Sequence, residues 1–288
     1  MQPWPGRSPA EARHPRSLQE GWRACDHFQM RQAFTKALAA GLLLCAAGSA
    51  GAGERENFLS GETRSCVGCD LSGLDLNGRD LKRAKLDGAN LRGATLAEAS
   101  LFRAVLLRAN LSAAKLAGAN LNLSDAKWAD FSGADLRNAL LYETDLSGAN
   151  LSGANLQGAR LGRARLTEAD LRRANLTGAD LIGARLAGAK LAGAMLRGVR
   201  LNGQNLRGMD LRGIDFAAAD MVEADLTGAD LRGADLSGVD LFGGNLHGAD
   251  LRGAKLDGAR LTNAILSDTR RDGATFDDAI MPMGWEKE

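Results

Sequence analysis

Residues 84–103 read AKLDGANLRGATLAEASLFR, and within them Leu86, Leu91, Leu96 and Leu101 return at every fifth position. Alanine stands two residues before each leucine (Ala84, Ala89, Ala94, Ala99), and Gly88 and Gly93 stand two residues after Leu86 and Leu91. Working outward, the register holds back to Leu71 and forward to Leu266, about forty repeats with no slip. A period of five is neither the 3.6 of an amphipathic helix nor the 2 of a strand. Glycine beside every second or third leucine would cost a helix about 1 kcal/mol each against alanine. Turn-forming Asp, Asn, Ser and Gly instead demand a turn in every repeat. The solution is a solenoid in which each five-residue unit forms one side of a coil. Leucine points inward, alanine tucks in at the corner, and the other three positions face water.

The motif A-(D/N)-L-x-G, as in Ala89-Asn90-Leu91-Arg92-Gly93 and Ala229-Asp230-Leu231-Arg232-Gly233, resembles the pentapeptide-repeat family. The resemblance covers the chain from about Cys69 to Met281. It implies an all-β fold, a right-handed quadrilateral β-helix of about ten coils, roughly 48 Å long at about 4.8 Å per coil. Some repeats depart from the pattern. Phe131, Phe216 and Met221 replace the central leucine, and Ala126 stands where leucine is expected. Ala126 predicts a local bulge, with Leu123 or Trp128 covering the gap, because an unfilled Leu-to-Ala gap costs about 2–5 kcal/mol. The bulkier corners Val199, Gln204, Met209 and Ile214 predict wider coils or different turns between Ala194 and Ile214.

Residues 30–52, MRQAFTKALAAGLLLCAAGSAGA, combine a basic start, a short apolar run and an Ala50-Gly51-Ala52 cleavage pattern. They predict a signal peptide and an exported, periplasmic location. The apolar run is shorter than the ~20 residues of a membrane span, so no transmembrane segment is expected in the mature chain. Residues 1–29 read as a mis-annotated or dispensable extension. Cys45 offers an alternative, a lipid-anchored envelope protein, although the bulky Leu44 precedes it. Residues 53–69 form an N-terminal cap, with Phe58 and Leu59 over the first coil. The repeats occupy 70–281, and 282–288 form a C-terminal cap in which Pro282 stops the ladder and Trp285 lies over the last coil.

The cap carries Cys66-Val67-Gly68-Cys69, and a similar pair often leads into the first coil in proteins of the family. A structural disulfide between Cys66 and Cys69 is favoured for an oxidising compartment. A zinc site would need two further ligands, a redox motif a following helix, and a free thiol pair is the remaining alternative.

Removing residues 1–52 takes six of the 36 basic and three of the 35 acidic residues, leaving 30 against 32. That balance argues against a nucleic-acid partner. His247 is the one histidine of the repeats, and neither a catalytic constellation, a phosphate loop nor a metal-ligand cluster is recognisable. The expectation is a non-enzyme with no catalytic, cofactor or metal residues. Function must then lie on the outside, where residues twenty apart stack. Arg172, Arg212, Arg232 and Arg252 form one column beside Asp170, Asp210, Asp230 and Asp250. Phe102, Tyr142, Ile182, Val222 and Phe242, with Leu140 beside them, form an apolar column, the candidate interaction face for an unknown protein partner or a second copy. Residues 160–212 carry eleven basic against four acidic residues, and 215–250 eight acidic against Arg232. The family also contains DNA-mimicking gyrase modulators, and only this acidic band resembles them. The principal expectation is an exported structural or protein-interaction scaffold.

Overall fold

The computed structural model describes residues 53–285; the expected signal peptide, the preceding extension and Cys45 lie outside the described residues. Repeat 90–94 shows how one five-residue unit satisfies its backbone. Asn90 N–H donates to Cys69 C=O one coil before (2.8 Å), while Leu91 and Gly93 donate to Asn110 and Ser112 one coil after (2.6 and 2.9 Å). Ala94 N–H closes a turn onto Leu91 C=O (3.0 Å). The fifth donor, Arg92 N–H, goes to the Asn90 side-chain Oδ1 (3.2 Å). Every donor of the unit is used, as a buried or tightly turned backbone requires. Asp and Asn therefore recur before the central residue because their Oδ1 takes the one N–H the ladder leaves over, as at Asp70, Asp130 and Asp235. The turn itself needs a positive φ at its third residue, +64° at Gly93, the type II geometry that favours glycine.

Single-residue parallel bridges link positions twenty apart, Ser65 to Lys85, Asp70 to Asn90, Asp75 to Thr95, Asp80 to Ser100, and so on to Arg260 with Ile280. Four units thus make one coil, and the sides stack as four parallel ladders. Regular strands do not develop, because each extended residue is followed within two positions by a turn. The central leucines and corner alanines fill the interior. Leu86 to Leu176 are fully buried at every central position that holds leucine. Each contributes roughly 1.5–3 kcal/mol against the entropy of ordering the chain.

Helix α1, residues 53–60, precedes the first coil. Gly61, at φ +87°, ends it with its N–H on Phe58 C=O (3.2 Å). Phe58 is buried in the core and Leu59 packs against it, so α1 closes the first coil. The ladder starts five residues earlier than the sequence suggests: Ser65–Cys69 is already a repeat, bridged to Lys85. Cys66 takes the central position and Cys69 the corner. Both are buried, with sulfurs 2.12 Å apart in a disulfide. At the other end, Trp285 N–H returns to Pro282 C=O (3.2 Å), and the Trp285 ring lies 5.6 Å from Phe276. No helix among the described residues is long and apolar enough to cross a membrane.

Two expectations change. There is no bulge at Ala126: Asp125 bridges Val105 and Asp145, and Ala126 N–H donates to Asp145 C=O at 2.8 Å. Neither Leu123 nor Trp128 moves inward. Both sit at turn positions with positive φ, and Trp128 is 56% exposed. The same coil carries Phe131, fully buried in the next repeat, so a small and a large side chain share one layer.

Between residues 181–195 and 201–215 the ladder opens. Arg185 is not bridged to Asn205, nor Lys190 to Asp210, while Asp180–Arg200 and Met195–Asp215 on the other two sides remain paired. The lower coil here carries Gln204, Met209 and Ile214 at successive corners, stacked on Ala184, Ala189 and Ala194. Three oversized corners in one layer act as a wedge, as overpacking does in any close-packed interior. Wider coils were expected; a parted ladder with ordinary turns is what the wedge produces.

Candidate functional site

The outward column begins with Phe102, half-buried, its ring under the Arg103 guanidinium at 5.3 Å. One coil on, Asn122 replaces an apolar residue and its Oδ1 accepts Tyr142 N–H (2.8 Å). Tyr142 is 41% exposed, and Arg163 lies 5.9 Å from its ring. Gly162 follows. A Cβ there would meet Tyr142 Cδ2 at 3.3 Å, so the tyrosine ring lies over the space that glycine leaves. Ile182 is half-buried, and Asn202 then donates its Nδ2 to Asp220 Oδ2 (2.9 Å). Val222 and Phe242, both half-buried, occupy adjoining coils, with Arg260 4.6 Å over the Phe242 ring and held by Asp240 (3.0 Å). Leu140, half-buried, bridges Asn120 and Arg160 beside Tyr142.

The structure therefore brings the six residues to one corner of the solenoid but divides them. Leu140 and Tyr142 form an upper pair, Val222 and Phe242 a lower pair, Phe102 stands between the polar Lys82 and Asn122, and Ile182 between Gly162 and Asn202. The three aromatic rings each carry an arginine. Such rings offer a flat apolar body with a cationic edge, a combination common at protein interfaces. Trp128, more exposed than any of them, lies on the next corner over Gly148 with Arg108 5.6 Å away. Its turn position, two residues after the centre, is the sequence signal that marks it as outward.

The Arg–Asp lattice forms as its spacing suggests. Arg212 Nε and Nη2 engage both oxygens of Asp210 (2.7 and 2.6 Å), and Arg212 also reaches Asp230 of the next coil at 3.6 Å. Arg232 likewise joins Asp230 and Asp250, Arg252 joins Asp250, and Arg172 joins Asp170. Hydrogen bonds from the Arg252 guanidinium and N–H, with the charge of Arg232, hold the Asp250 carboxyl down at about 2. Asp135, Asp170, Asp210 and Asp230 are lowered for the same reason, chiefly by the arginine two residues on. Arginines also reach into the acidic band: Arg207 pairs with Asp225 (3.1 Å) and Arg260 with Asp240. Four of the eight carboxylates of the band, Asp225, Asp230, Asp240 and Asp250, are thus paired with arginine. His247 Nδ1 lies 2.9 Å from Ser267 Oγ and 3.4 Å from Asp268. Among the described residues no group of three or more His, Cys, Asp or Glu is set to hold a metal ion.

A family model described as pentapeptide repeats matches residues 65–101, 89–125, 104–141, 129–167, 164–203, 205–238 and 244–281. No curated protein matches the chain. Among solved structures it is similar to HetL, a pentapeptide repeat protein involved in heterocyst differentiation regulation from the cyanobacterium Nostoc sp. strain PCC 7120, at 36% identity over 82% of this chain and 98% of that one (TM-score 0.37). It is also similar to a pentapeptide repeat protein of the Arabidopsis thaliana thylakoid lumen, at 32% identity over 32% of this chain and 61% of that one (TM-score 0.26). A third similarity is to a trypsin-treated form of QnrB1, a plasmid-mediated fluoroquinolone resistance protein, at 21% identity over 74% and 91% of the two chains (TM-score 0.32). The family matches imply that the four-sided solenoid is a right-handed quadrilateral β-helix. With its repeats matched from Ser65 to Met281, the chain belongs to the pentapeptide-repeat family.

Proposed function

We propose that this chain is an exported, non-enzymatic protein-interaction scaffold, a rod of about ten coils that presents its contacts on outward columns. The observation that carries the reading is the apolar corner. Tyr142 and Phe242 hold their rings outward beside Arg163 and Arg260. Tyrosine and arginine are among the residues enriched at the few positions that dominate binding in protein interfaces. The partner is a protein or a second copy of the chain. Export rests on residues 30–52, whose basic start, apolar run and small-residue cleavage pattern direct a chain out of the cytoplasm.

The interaction arm is tested by changing Tyr142→Ser and Phe242→Ser together and cross-linking in the cell. Loss of a captured protein or of a dimer supports the reading; an unchanged cross-linking pattern ends it. Export is tested separately with a reporter active only outside the cytoplasm, fused after Glu288. A reporter that stays inactive excludes the exported scaffold.

A further inference from the structure

The opened ladder starts at Gly183, next to Ile182 of the apolar corner, runs along the two sides that follow and has a chemistry of its own. Along its upper lip, no hydrogen bond ties the N–H groups of Gly183, Leu186, Gly188, Leu191 or Gly193 to the coil below. One coil earlier, the equivalent donors Arg163, Leu166, Glu168, Leu171 and Arg173 all pair with the next coil at 2.8–3.1 Å. Along the lower lip, Asn205 and Asp210 have lost the same ladder bonds through both N–H and C=O. Between Gly188–Ala192 and Arg207–Asp210 the parting is a groove of about 440 Å³. Its floor is apolar: Leu191 is buried, but Ala189 and Met209 are only half-buried, unlike the corner alanines of the coils from Ala84 to Ala179.

One side chain props the parting. Gln204, buried, donates its Nε2 to Leu181 C=O across the two coils (2.6 Å). The rim is basic. Lys190 lines the groove and Arg185 stands on the adjoining side of the same opened rung, and neither side chain forms a hydrogen bond or an ion pair. Of the four acidic residues in 160–212, Asp170, Asp180 and Asp210 are already held by Arg172, Arg200 and Arg212, while Glu168 stacks over Gly188 without an ion pair. Set against that one carboxylate, Arg185 and Lys190 leave the free charge around the opened rung positive on balance.

Donors and acceptors that alternate along a lip are complementary to a polypeptide backbone. A phosphate polymer offers acceptors only and would leave the Ala189 and Asp210 carbonyls unmatched. We propose that this opened rung is a docking groove for an extended acidic peptide. The peptide adds as a short strand along the lip, places an apolar side chain on Leu191 and Met209, and turns its carboxylates toward Arg185 and Lys190. This goes beyond the scaffold reading and does not depend on Tyr142 or Phe242.

The test uses the full chain and a fluorescein-labelled decapeptide of alternating glutamate and valine, read by fluorescence polarisation. Saturable binding is expected. It should weaken about tenfold or more when alternate peptide amides are N-methylated, and similarly in an Arg185→Glu, Lys190→Glu variant. Restoring the alanine corners with Gln204→Ala, Met209→Ala and Ile214→Ala should close the rung, protect the Leu186 and Leu191 amides from exchange, and abolish binding. Should that variant not fold, the N-methylated peptide and the charge reversal decide the matter. The proposal is overturned if the plain peptide does not bind, or if the N-methylated peptide or a single-stranded oligonucleotide binds as well. The Tyr142→Ser, Phe242→Ser variant should bind the peptide unchanged, which separates this site from the interaction corner.

Discussion

At the scale of the residue, the third turn position decides how much each repeat contributes. It requires φ near +60°, which costs an L-residue about 1–2 kcal/mol and glycine nothing. Ala113 adopts it at +54° and Trp128 at +53°. Changing Ala113→Gly should therefore raise stability by about 1 kcal/mol, even though it removes a side chain. Gly153→Ala should lower it by a similar amount, because nothing lies within 4 Å of the added Cβ and only the backbone angle resists it. Urea denaturation of the two variants checks both signs; a loss of stability in Ala113→Gly would contradict the turn assignment. The interior behaves differently. Leu151→Ala should cost about 2–5 kcal/mol, while Ser152→Ala beside it loses only a cap bond to Asn150. The central leucines were legible in the sequence because a large apolar side chain fills the middle of nearly every side. Ala126 was misread because its compensation, Phe131, sits in the same layer rather than at the same position.

At the scale of the element, the coil is the unit, and coils differ in how tightly they join. Amides in the coils from Leu81 to Leu176 are held on both sides by the ladder. Those of Leu186, Gly188 and Leu191 are not. Hydrogen exchange should therefore show Leu166 and Leu171 protected and Leu186 and Leu191 exchanging orders of magnitude faster in the same molecule. Equal protection would mean that the rung is closed. The four bulky corners from Val199 to Ile214 were visible in the sequence, but not their consequence. Whether a layer widens or parts depends on what it stacks upon, here a run of alanine corners from Ala184 to Ala194. The Cys66–Cys69 pair was read as a lead-in to the coils, yet it is a repeat in its own right. Cysteine in the central position hides the motif from a search for leucine, and the signal that reveals it is the spacing of Ser65, Cys66 and Cys69 from Asp70, Leu71 and Leu74.

At the scale of the whole molecule, the outward Asp positions link stability to pH. Asp70, Asp75, Asp80, Asp145, Asp225 and Asp235, like the arginine-bound Asp250, have carboxyls lowered by hydrogen bonds from the turn they close. A carboxyl whose folded value lies below the unfolded 3.8 favours the folded chain at all pH above that value. Its contribution fades as pH falls from 3.8 toward about 2, the folded value of Asp250. The melting temperature should thus stay level from pH 7 to about pH 5 and then drop steeply below pH 4. A chain that melts at the same temperature at pH 2.5 as at pH 7 would refute the role given to these residues. The outside also marks where sequence reading stops. The Arg172–Asp170 and Arg232–Asp230 lattice followed from spacing alone, because arginines and aspartates two residues apart in each repeat stack at intervals of twenty into columns that lie side by side. The division of the apolar corner by Asn122, Gly162 and Asn202, and the free lips beside Lys190, depend on side-chain directions and on layer packing that a period of five does not specify.

All of these readings depend on residues twenty apart being neighbours. Asp130 and Asn150 test this directly: they form one bridge, and Asn150 Nδ2 donates to Asp130 Oδ1 at 3.0 Å. Replacing both by cysteine, Asp130→Cys with Asn150→Cys, places two thiols on adjoining rungs within the reach of a disulfide. Mild oxidation followed by peptide mass mapping should show a 130–150 cross-link. A control pair, Asp130→Cys with Asn155→Cys, sits on adjoining sides of the rod and should stay reduced. A cross-link in the control and none in the twenty-residue pair would contradict the four-sided coil and every column built on it.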